Sequence, residues 1–205
     1  MAEKGTLFAM NNEKIWGLVL AGGRSKRMGS DKALFVSKGK TQLSIAFSLL
    51  KNHVEQVFLS TQADLSREKE RKKFQLIVDT YENLGPIAGI FSAMDKYEHV
   101  SWLVIACDLF NLDDKTISNL LMNRSATYPF TAYKSSYDGL PEPLCAIYAS
   151  HSRKTMNKMI SQDITCPRKI LINSNTQLLK QPNPRALDNF NTPEDLKNDI
   201  SKSEA

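Results

Sequence analysis

Hydrophobic and polar positions alternate in blocks along the first half of the chain. Four apolar stretches bounded by turn residues are typical of buried strands, at residues 15–21, 54–61, 75–79 and 102–107. Two longer stretches, residues 41–53 and 87–97, repeat their apolar positions at the spacing of a helix. Because strands and helices in turn are the pattern of a doubly wound fold, we predict a three-layer α/β/α, Rossmann-like architecture with a mostly parallel sheet.

The second half of the chain departs from this alternation. Helices are predicted at residues 117–122 and 152–161, and strands at 129–133 and 143–149. One or two short strands are expected within 178–190, and Thr192 and Pro193 fit the start of a last helix. We predict a small antiparallel extension of the sheet here. The whole is expected to form one domain over residues 15–200, between a polar leader (1–14) and a short tail (201–205).

Charge is spread along the chain and does not change this picture. The formal net charge is +5, with 41% hydrophobic and 24% charged residues, as in ordinary globular proteins. The most charged run, residues 67–73, mixes both signs. We predict that it lies on the solvated face of a helix over residues 65–74. No nucleic-acid partner is therefore expected.

Three cysteines stand far apart, at Cys107, Cys145 and Cys166, with no C-x-x-C pair. This spacing argues against a disulfide framework or a zinc site and suits a reducing compartment. Cys107 lies in a predicted strand and is interpreted as a small core residue. No apolar stretch approaches the length of a membrane span, and the polar N-terminus does not resemble a signal peptide. A cytoplasmic protein without a membrane partner is expected.

A basic loop punctuated by glycines follows the first predicted strand. Gly22 and Gly23 end the apolar run, and two arginines and two lysines follow: Arg24, Lys26, Arg27 and Lys32. Glycines let backbone N–H groups approach an anion closely, and clustered cations favour one. The spacing fits neither a Walker A loop nor a dinucleotide fingerprint. We predict a loop that binds phosphate groups, with a nucleoside triphosphate as the first candidate.

Two aspartates directly follow predicted strands. Asp108 comes after the most apolar strand, and Asp79 ends a shorter one. Ligands of open α/β sheets bind outside the carboxyl ends of the strands, so both carboxylates are expected near the basic loop. Mg²⁺ is commonly held by one or two carboxylates together with substrate phosphates. Each aspartate could equally be a turn or cap residue, and position alone does not decide between these roles.

The motif L-A-G-G-x-S-x-R-M-G-x-D-K-A, from Leu20 to Ala33, resembles that of the molybdenum cofactor guanylyltransferases. The resemblance resumes in four further blocks in the order of that family: Gly85-Pro-Ile-Ala-Gly89, Ala106-Cys-Asp108, Pro141-Glu-Pro143 and Asn189-Phe-Asn-Thr-Pro-Glu-Asp-Leu196. It extends from about Gly17 to Ile200. Two departures stand out: Ser60 replaces an asparagine common among these enzymes, and Leu109-Phe110-Asn111 lacks their proline.

The resemblance implies a role for each block. Residues 15–110 would be the nucleotide-binding half and residues 111–200 the acceptor-binding half. The nucleotide-binding residues would be Leu20, Ala21, Gly22, Gly23, Lys32, Asp79, Gly85, Gly89 and Asp108. Lys32, Arg27 and Asp108 would be catalytic, with Asp108 as the ligand of Mg²⁺. Asn189 and Asn191 would line the acceptor side, although two amides could instead hold the turn before the last helix.

The reaction implied is transfer of GMP from GTP to the phosphate of molybdopterin, with release of pyrophosphate. GTP and molybdopterin would be the partners, and acceptor molybdoenzymes or their chaperones could be further ones. Two alternatives stay open. A cytidylyltransferase of the same fold would use CTP with molybdopterin or a sugar or polyol phosphate, although such enzymes more often carry A-A-G at Ala21-Gly22-Gly23. A catalytically silent nucleotide-binding module would keep the loop without turnover.

Overall fold

The structure, a computed structural model, describes residues 13–22, 31–37 and 39–188. Its strands are β1 (Ile15–Leu20), β2 (Val36–Ser37), β3 (Lys40–Thr41), β4 (Val57–Thr61), β5 (Leu76–Val78), β6 (Ser101–Ala106), β7 (Phe130–Lys134), β8 (Pro141–Tyr148) and β9 (Thr176–Lys180). Its α-helices are α1 (Gln42–Lys51), α2 (Pro86–Lys96), α3 (Asp114–Asn123), α4 (Ser152–Ile160) and α5 (Pro167–Ile172). Two short 3-10 helices cover Lys32–Leu34 and Arg71–Lys73.

Seven strands form one sheet in the order β5-β4-β1-β6-β8-β7-β9, and β2 and β3 form a separate small hairpin. All pairs in the large sheet are parallel except the two made by β8, which runs antiparallel to both β6 and β7. A single reversed strand therefore joins the parallel strands of the first half to the second half of the chain. The predicted mostly parallel sheet with an antiparallel part in the second half is confirmed.

The sheet buries both of its faces, because successive strand residues point to opposite sides. On one side Val19, Leu59 and Ile105 pack against α1 and α3. On the other, Leu18 and Val104 pack against α2, α4 and α5. Two cores on the two faces of one sheet make the three-layer arrangement that the alternation predicted.

The charged segment is the clearest error of the sequence interpretation. Residues 65–74 do not form an α-helix; they form turns followed by the 3-10 helix Arg71–Lys73. Arg71 does not lie on a solvated face, because its side chain is completely buried. Arg67 and Lys72 are exposed, so the predicted exposure to solvent holds for only part of the run.

Smaller differences occur in the second half. The last strand of the sheet, β9, lies at Thr176–Lys180 and so begins ahead of the predicted window of 178–190. Helix α5 was not predicted; it begins with Pro167 in its first turn and is only six residues long, too short to show a clear apolar period. The last predicted helix, the leader up to residue 12 and the tail lie outside the described residues.

The cysteines are free thiols and differ in their exposure. Cys107 and Cys145 are buried and Cys166 is exposed, all three as free thiols. Burial raises the pKa of the Cys107 thiol to about 12, and nearby Asp108 and Asp31 add to this effect, which suits the predicted core role. Among the described residues, no helix is both long enough and apolar enough to span a bilayer.

Candidate active site

A cavity of about 740 Å³ opens at the carboxyl ends of β1, β4, β5 and β6. Eight of the residues predicted to bind the nucleotide or the metal line it: Leu20, Ala21, Gly22, Lys32, Asp79, Gly85, Gly89 and Asp108. The other four predicted residues, Gly23, Arg27, Asn189 and Asn191, lie outside the described residues. The structure thus brings together in one cavity every predicted site residue that it describes.

The register of the parallel strands explains this convergence. Leu20 at the end of β1 is paired with both Ser60 of β4 and Ala106 of β6. The next residues continue the ladder: the Ala21 amide donates to Ser60 O and the Cys107 amide donates to Leu20 O. The chain segments leaving these strands therefore start at the same edge, where Asp108 and Gly22 face the cavity.

Lys32 and Asp108 form the charged pair of the cavity. Lys32 Nζ lies 3.5 Å from Asp108 Oδ2, and the two side chains are 15% and 34% exposed. Lys32 is placed by the 3-10 helix Lys32–Leu34, whose N-cap Asp31 accepts a hydrogen bond of 3.0 Å from the Ala33 amide. A cation and a carboxylate side by side at a strand end can contact a phosphate and a metal ion respectively.

Asp79 occupies a different environment on the same edge. Its Oδ1 accepts a hydrogen bond of 2.7 Å from Ser60 Oγ. Burial raises the pKa of the Asp79 carboxyl above its ordinary 3.8, and the hydrogen bond from Ser60 offsets only part of that shift. A Cβ on Gly22 would come within 3.2 Å of Asp79 Oδ2, so a glycine leaves this carboxylate accessible at the base of the cavity.

Two glycines shape the entry to α2. Gly85 precedes the helix with a φ of +54° and a ψ of −135°, a backbone conformation that only glycine adopts readily. Gly89 lies inside the helix, where a Cβ would fall 2.0 Å from Ser60 Oγ and 3.1 Å from Leu20 Cδ2. The absence of a side chain on Gly89 lets α2 pack directly against the ends of β1 and β4, whereas Gly85 is needed for its backbone conformation and a Cβ there would meet open space.

A divalent cation fits the chemistry of this cavity at Asp108. Its carboxylate supplies hard oxygen atoms, which Mg²⁺ prefers, and it is partly exposed to the cavity. In the described part of the chain, no group of three or more His, Cys, Asp or Glu side chains is placed to hold a metal. The arrangement therefore matches a metal shared between one or two carboxylates and substrate phosphates, and not a closed protein cage.

Sequence reasoning missed other residues that line the cavity, among them Gln62, Ala63, Tyr81, Glu82, Asn83 and Leu144. Gln62 directly follows β4, so the rule that placed Asp108 and Asp79 at the strand ends would have found it too. Tyr81 is held from outside the cavity: its hydroxyl donates to Asp95 and accepts from Arg153 Nη2 at 3.0 Å. These partners lie on α2 and α4, 14 and 72 positions further along the chain.

The cavity offers electrostatic and metal-binding groups but no obvious nucleophile. Among the described residues no histidine lines it, and the Cys107 thiol stays protonated at neutral pH because its pKa is raised. Such a site can bind a substrate that carries its own nucleophile and can stabilise charge on a leaving group.

A family model described as the MobA-like NTP transferase domain matches residues 17–177. The chain is 35% identical over 181 residues to a molybdenum cofactor biosynthesis bifunctional protein of Synechocystis. The match covers 88% of the chain and about half (52%) of that longer relative. The chain is also 31% identical over 150 residues to a probable molybdenum cofactor guanylyltransferase of Geobacillus. This match covers 72% of the chain and 76% of the relative.

The fold is similar to that of a crystal structure of molybdopterin-guanine dinucleotide biosynthesis protein A from Archaeoglobus fulgidus. The TM-score is 0.74 at 24% identity, covering 92% of this chain and 99% of the other. At this identity the likeness supports the fold alone, whereas the family model and the relatives support membership. The chain is therefore a nucleotidyltransferase that belongs to the MobA-like NTP transferase family.

Proposed function

We propose that this protein transfers GMP from GTP to the terminal phosphate of molybdopterin, with release of pyrophosphate. The observation that carries the proposal is the cavity at the carboxyl edge of the sheet, where Lys32 and Asp108 lie 3.5 Å apart. Two of the chain's relatives above 30% identity bear names from molybdenum cofactor biosynthesis, and one is named as a probable guanylyltransferase.

The reaction needs no general base, because the attacking phosphate is already anionic. A phosphate oxygen of molybdopterin forms a bond to the α-phosphorus of GTP, and the bond from that phosphorus to the bridging oxygen of pyrophosphate breaks. Lys32 stabilises the negative charge that develops on the departing pyrophosphate. Arg27 and the loop amides are proposed to share this role. The residues of the cavity thus bind and orient; they form no covalent intermediate.

Asp108 is the residue proposed to hold Mg²⁺. When bound, the ion would reduce the repulsion between the phosphates of nucleotide and acceptor. Asp108 and Lys32 both line the cavity, 3.5 Å apart, so phosphate oxygens bound beside Lys32 could complete the coordination of the ion. Asp79, half-buried and hydrogen-bonded to Ser60, is proposed to contact the nucleoside part of GTP.

Label transfer tests the base and the acceptor together. The protein would be incubated with Mg²⁺, molybdopterin and GTP or CTP labelled at the α-phosphorus. Transfer of label from GTP alone supports the proposal. Transfer from CTP alone would reassign the base and favour the cytidylyl alternative, and nucleotide binding without transfer would favour a silent module.

The Asp108→Ala variant tests the metal assignment. We expect turnover to fall by at least about 100-fold, as when a single charge-stabilising group is removed from an active site. The melting temperature should change little, because Asp108 is partly exposed. Asp163→Asn is a matched control, since Asp163 has a φ of +60° that asparagine also tolerates and it does not line the cavity. Parental turnover in Asp108→Ala would contradict the assignment.

A further inference from the structure

Arg71 is the one arginine of the described chain whose side chain is completely buried. It begins the 3-10 helix Arg71–Lys73, in the segment between β4 and β5. Its Nη2 donates hydrogen bonds to Ala21 O at 3.0 Å and to Asp31 Oδ2 at 2.6 Å. Its Nη1 lies 3.4 Å from Glu68 Oε2, which also accepts from the Arg71 amide.

A single guanidinium nitrogen thus bridges two places that are separated along the chain. Ala21 is the residue directly after β1, and Asp31 is the N-cap of the 3-10 helix that carries Lys32. Nη2 has two hydrogens, so one can point to each acceptor. The guanidinium group of Arg71 therefore holds Ala21, at the end of β1, and Asp31, at the start of the 3-10 helix, at the same time.

The contacts continue from Asp31 to the catalytic pair. Asp31 uses Oδ2 to bind Arg71 and Oδ1 to accept from the Ala33 amide, so both of its oxygens are engaged. Its own carbonyl accepts from the Leu34 amide at 3.0 Å. The turn around Lys32 is therefore fixed on Asp31, and Asp31 is fixed on Arg71. Lys32 Nζ then reaches Asp108 at 3.5 Å.

A purely stabilising role explains these contacts less well. Burial of an arginine carries a large desolvation penalty, and buried ion pairs are often no more stabilising than apolar residues of similar volume. Hydrogen bonds compensate this penalty only in part, because Arg71 Nε has no hydrogen-bond partner. What the guanidinium supplies is a long, rigid and planar group that contacts Ala21, Asp31 and Glu68 at once through two nitrogens.

We propose that Arg71 is a positioning residue for nucleotide binding: through Asp31 and Ala21 it sets where Lys32 stands relative to the end of β1. The inference rests on the proposed function for its nucleotide readout. Arg71 does not line the cavity, so it acts through other residues and is not itself expected to touch the substrate.

The test compares Arg71→Lys with Arg67→Lys, an exposed arginine of the same segment. A lysine keeps the positive charge beside Asp31, but it is shorter and lacks the rigid plane and second nitrogen that contact Asp31, Ala21 and Glu68 together. We expect Arg71→Lys to bind GTP about tenfold more weakly, the size of one lost charged hydrogen bond, while Arg67→Lys binds like the parent. Binding is measured by equilibrium dialysis, at a temperature where circular dichroism shows each variant to be folded.

A double-mutant cycle with Lys32→Met separates positioning from general stability. If Arg71 acts through Lys32, the double variant binds GTP as Lys32→Met alone does, within about twofold. If the double variant instead loses GTP affinity by the product of the two single losses, the proposal is overturned. A folded Arg71→Lys that binds GTP as tightly as the parent would overturn it too.

Hydrogen exchange gives a readout that does not need the nucleotide. In Arg71→Lys, the amides of Ala33 and Leu34 should exchange faster than in the parent, while those of β6 stay equally protected. If the parent binds no GTP, the proposed function fails and this measurement still decides the positioning role. Unchanged exchange at Ala33 and Leu34 would overturn it.

Discussion

Two carboxylates at the same edge of the sheet differ in what surrounds them. Asp108 is partly exposed and lies beside the Lys32 ammonium group. Asp79 is more deeply placed, accepts from Ser60 Oγ, and has a pKa that burial raises. The first environment suits a carboxylate that contacts cations, and burial in the second penalises the charged form of Asp79. Identical side chains at the ends of β5 and β6, which lie three positions apart in the sheet, thus have environments suited to different roles.

The raised pKa of Asp79 predicts a specific dependence of stability on pH. The folded state binds the Asp79 proton more tightly than the unfolded state, so the free energy of unfolding falls as pH rises from about 3.8 through the raised pKa. Asp79→Asn removes this loss. We expect the variant to gain stability relative to the parent over this window, with a constant difference above it.

Urea unfolding of both proteins at a series of pH values measures the effect. Taking the difference between them cancels the groups whose pKa values are lowered by their hydrogen bonds, such as Glu13 and Asp113. A parent that becomes more stable relative to Asp79→Asn as the pH rises would show that the sign is wrong. The same variant should bind GTP more weakly, if Asp79 contacts the nucleoside.

At the scale of helices and strands, the sequence pattern predicted the elements whose formation depends on residues near to one another in the chain. The apolar spacing of residues 41–53 predicted α1, and Thr41 caps it by accepting from the Ser44 amide. The apolar runs predicted β1 and β6, and the rule for strand ends placed Gly22 and Asp108 at one cavity. These predictions needed no knowledge of distant partners.

The prediction failed where a distant partner decides the local structure. Residues 65–74 have the composition of a solvated helix, yet Arg71 is buried because Asp31, 40 positions earlier, binds it. No periodicity within the segment encodes that contact. Tyr81 was missed for a similar reason, since its side chain is held by Asp95 and Arg153, 14 and 72 positions further along the chain. The division of the chain into residues 15–110 and 111–200 stays a prediction.

The close packing of α2 on β4 predicts the effect of Gly89→Ala. Alanine usually favours a helix over glycine by about 1 kcal/mol, but here its Cβ would overlap Ser60 Oγ. We expect a net loss of about 1–3 kcal/mol in the free energy of unfolding, as for other overpacked cores. Chemical denaturation of the variant measures it.

The background Ser60→Ala supplies the control for this prediction. Without the hydroxyl, the nearest remaining contacts of the new Cβ are 3.0 Å to the Ser60 Cβ and 3.1 Å to Leu20 Cδ2. The cost of Gly89→Ala should therefore be smaller in Ser60→Ala than in the parent. An equal cost in both backgrounds would mean that the overlap with Ser60 is not the cause.

At the scale of the whole molecule, one ladder joins the two halves of the chain. Residues 102–105 of β6 pair with residues 145–148 of β8, at the centre of the sheet and between both cores. The two tryptophans, Trp16 and Trp102, pack against each other in the first half, with ring centroids 6.0 Å apart. Because Trp102 is also paired with Tyr148 of β8, their fluorescence reports on the first half and on its junction with the second, while circular dichroism reports on the whole chain.

We expect urea to unfold both halves in a single transition, because separating them would expose a central strand of the sheet. Tryptophan fluorescence and far-UV circular dichroism should give the same midpoint, as for a two-state domain. Fluorescence that is lost before or after a large part of the dichroism would contradict this and indicate two independent units. Proline variants within β8 should lower both signals together.

The reversed direction of β8 has a consequence for how new substrate preferences could arise. Because β8 runs against its neighbours, the connection from Lys134 to Pro141 is a hairpin at the carboxyl edge, with Tyr137 98% exposed near its tip. A hairpin tip can change in length or composition while both of its strands stay paired. Residues 135–140 do not line the cavity that contains Lys32 and Asp108. If the second half of the chain binds the acceptor, as the resemblance implies, we expect changes at residues 135–140, in evolution or in a designed library, to alter the acceptor preference while that cavity stays intact.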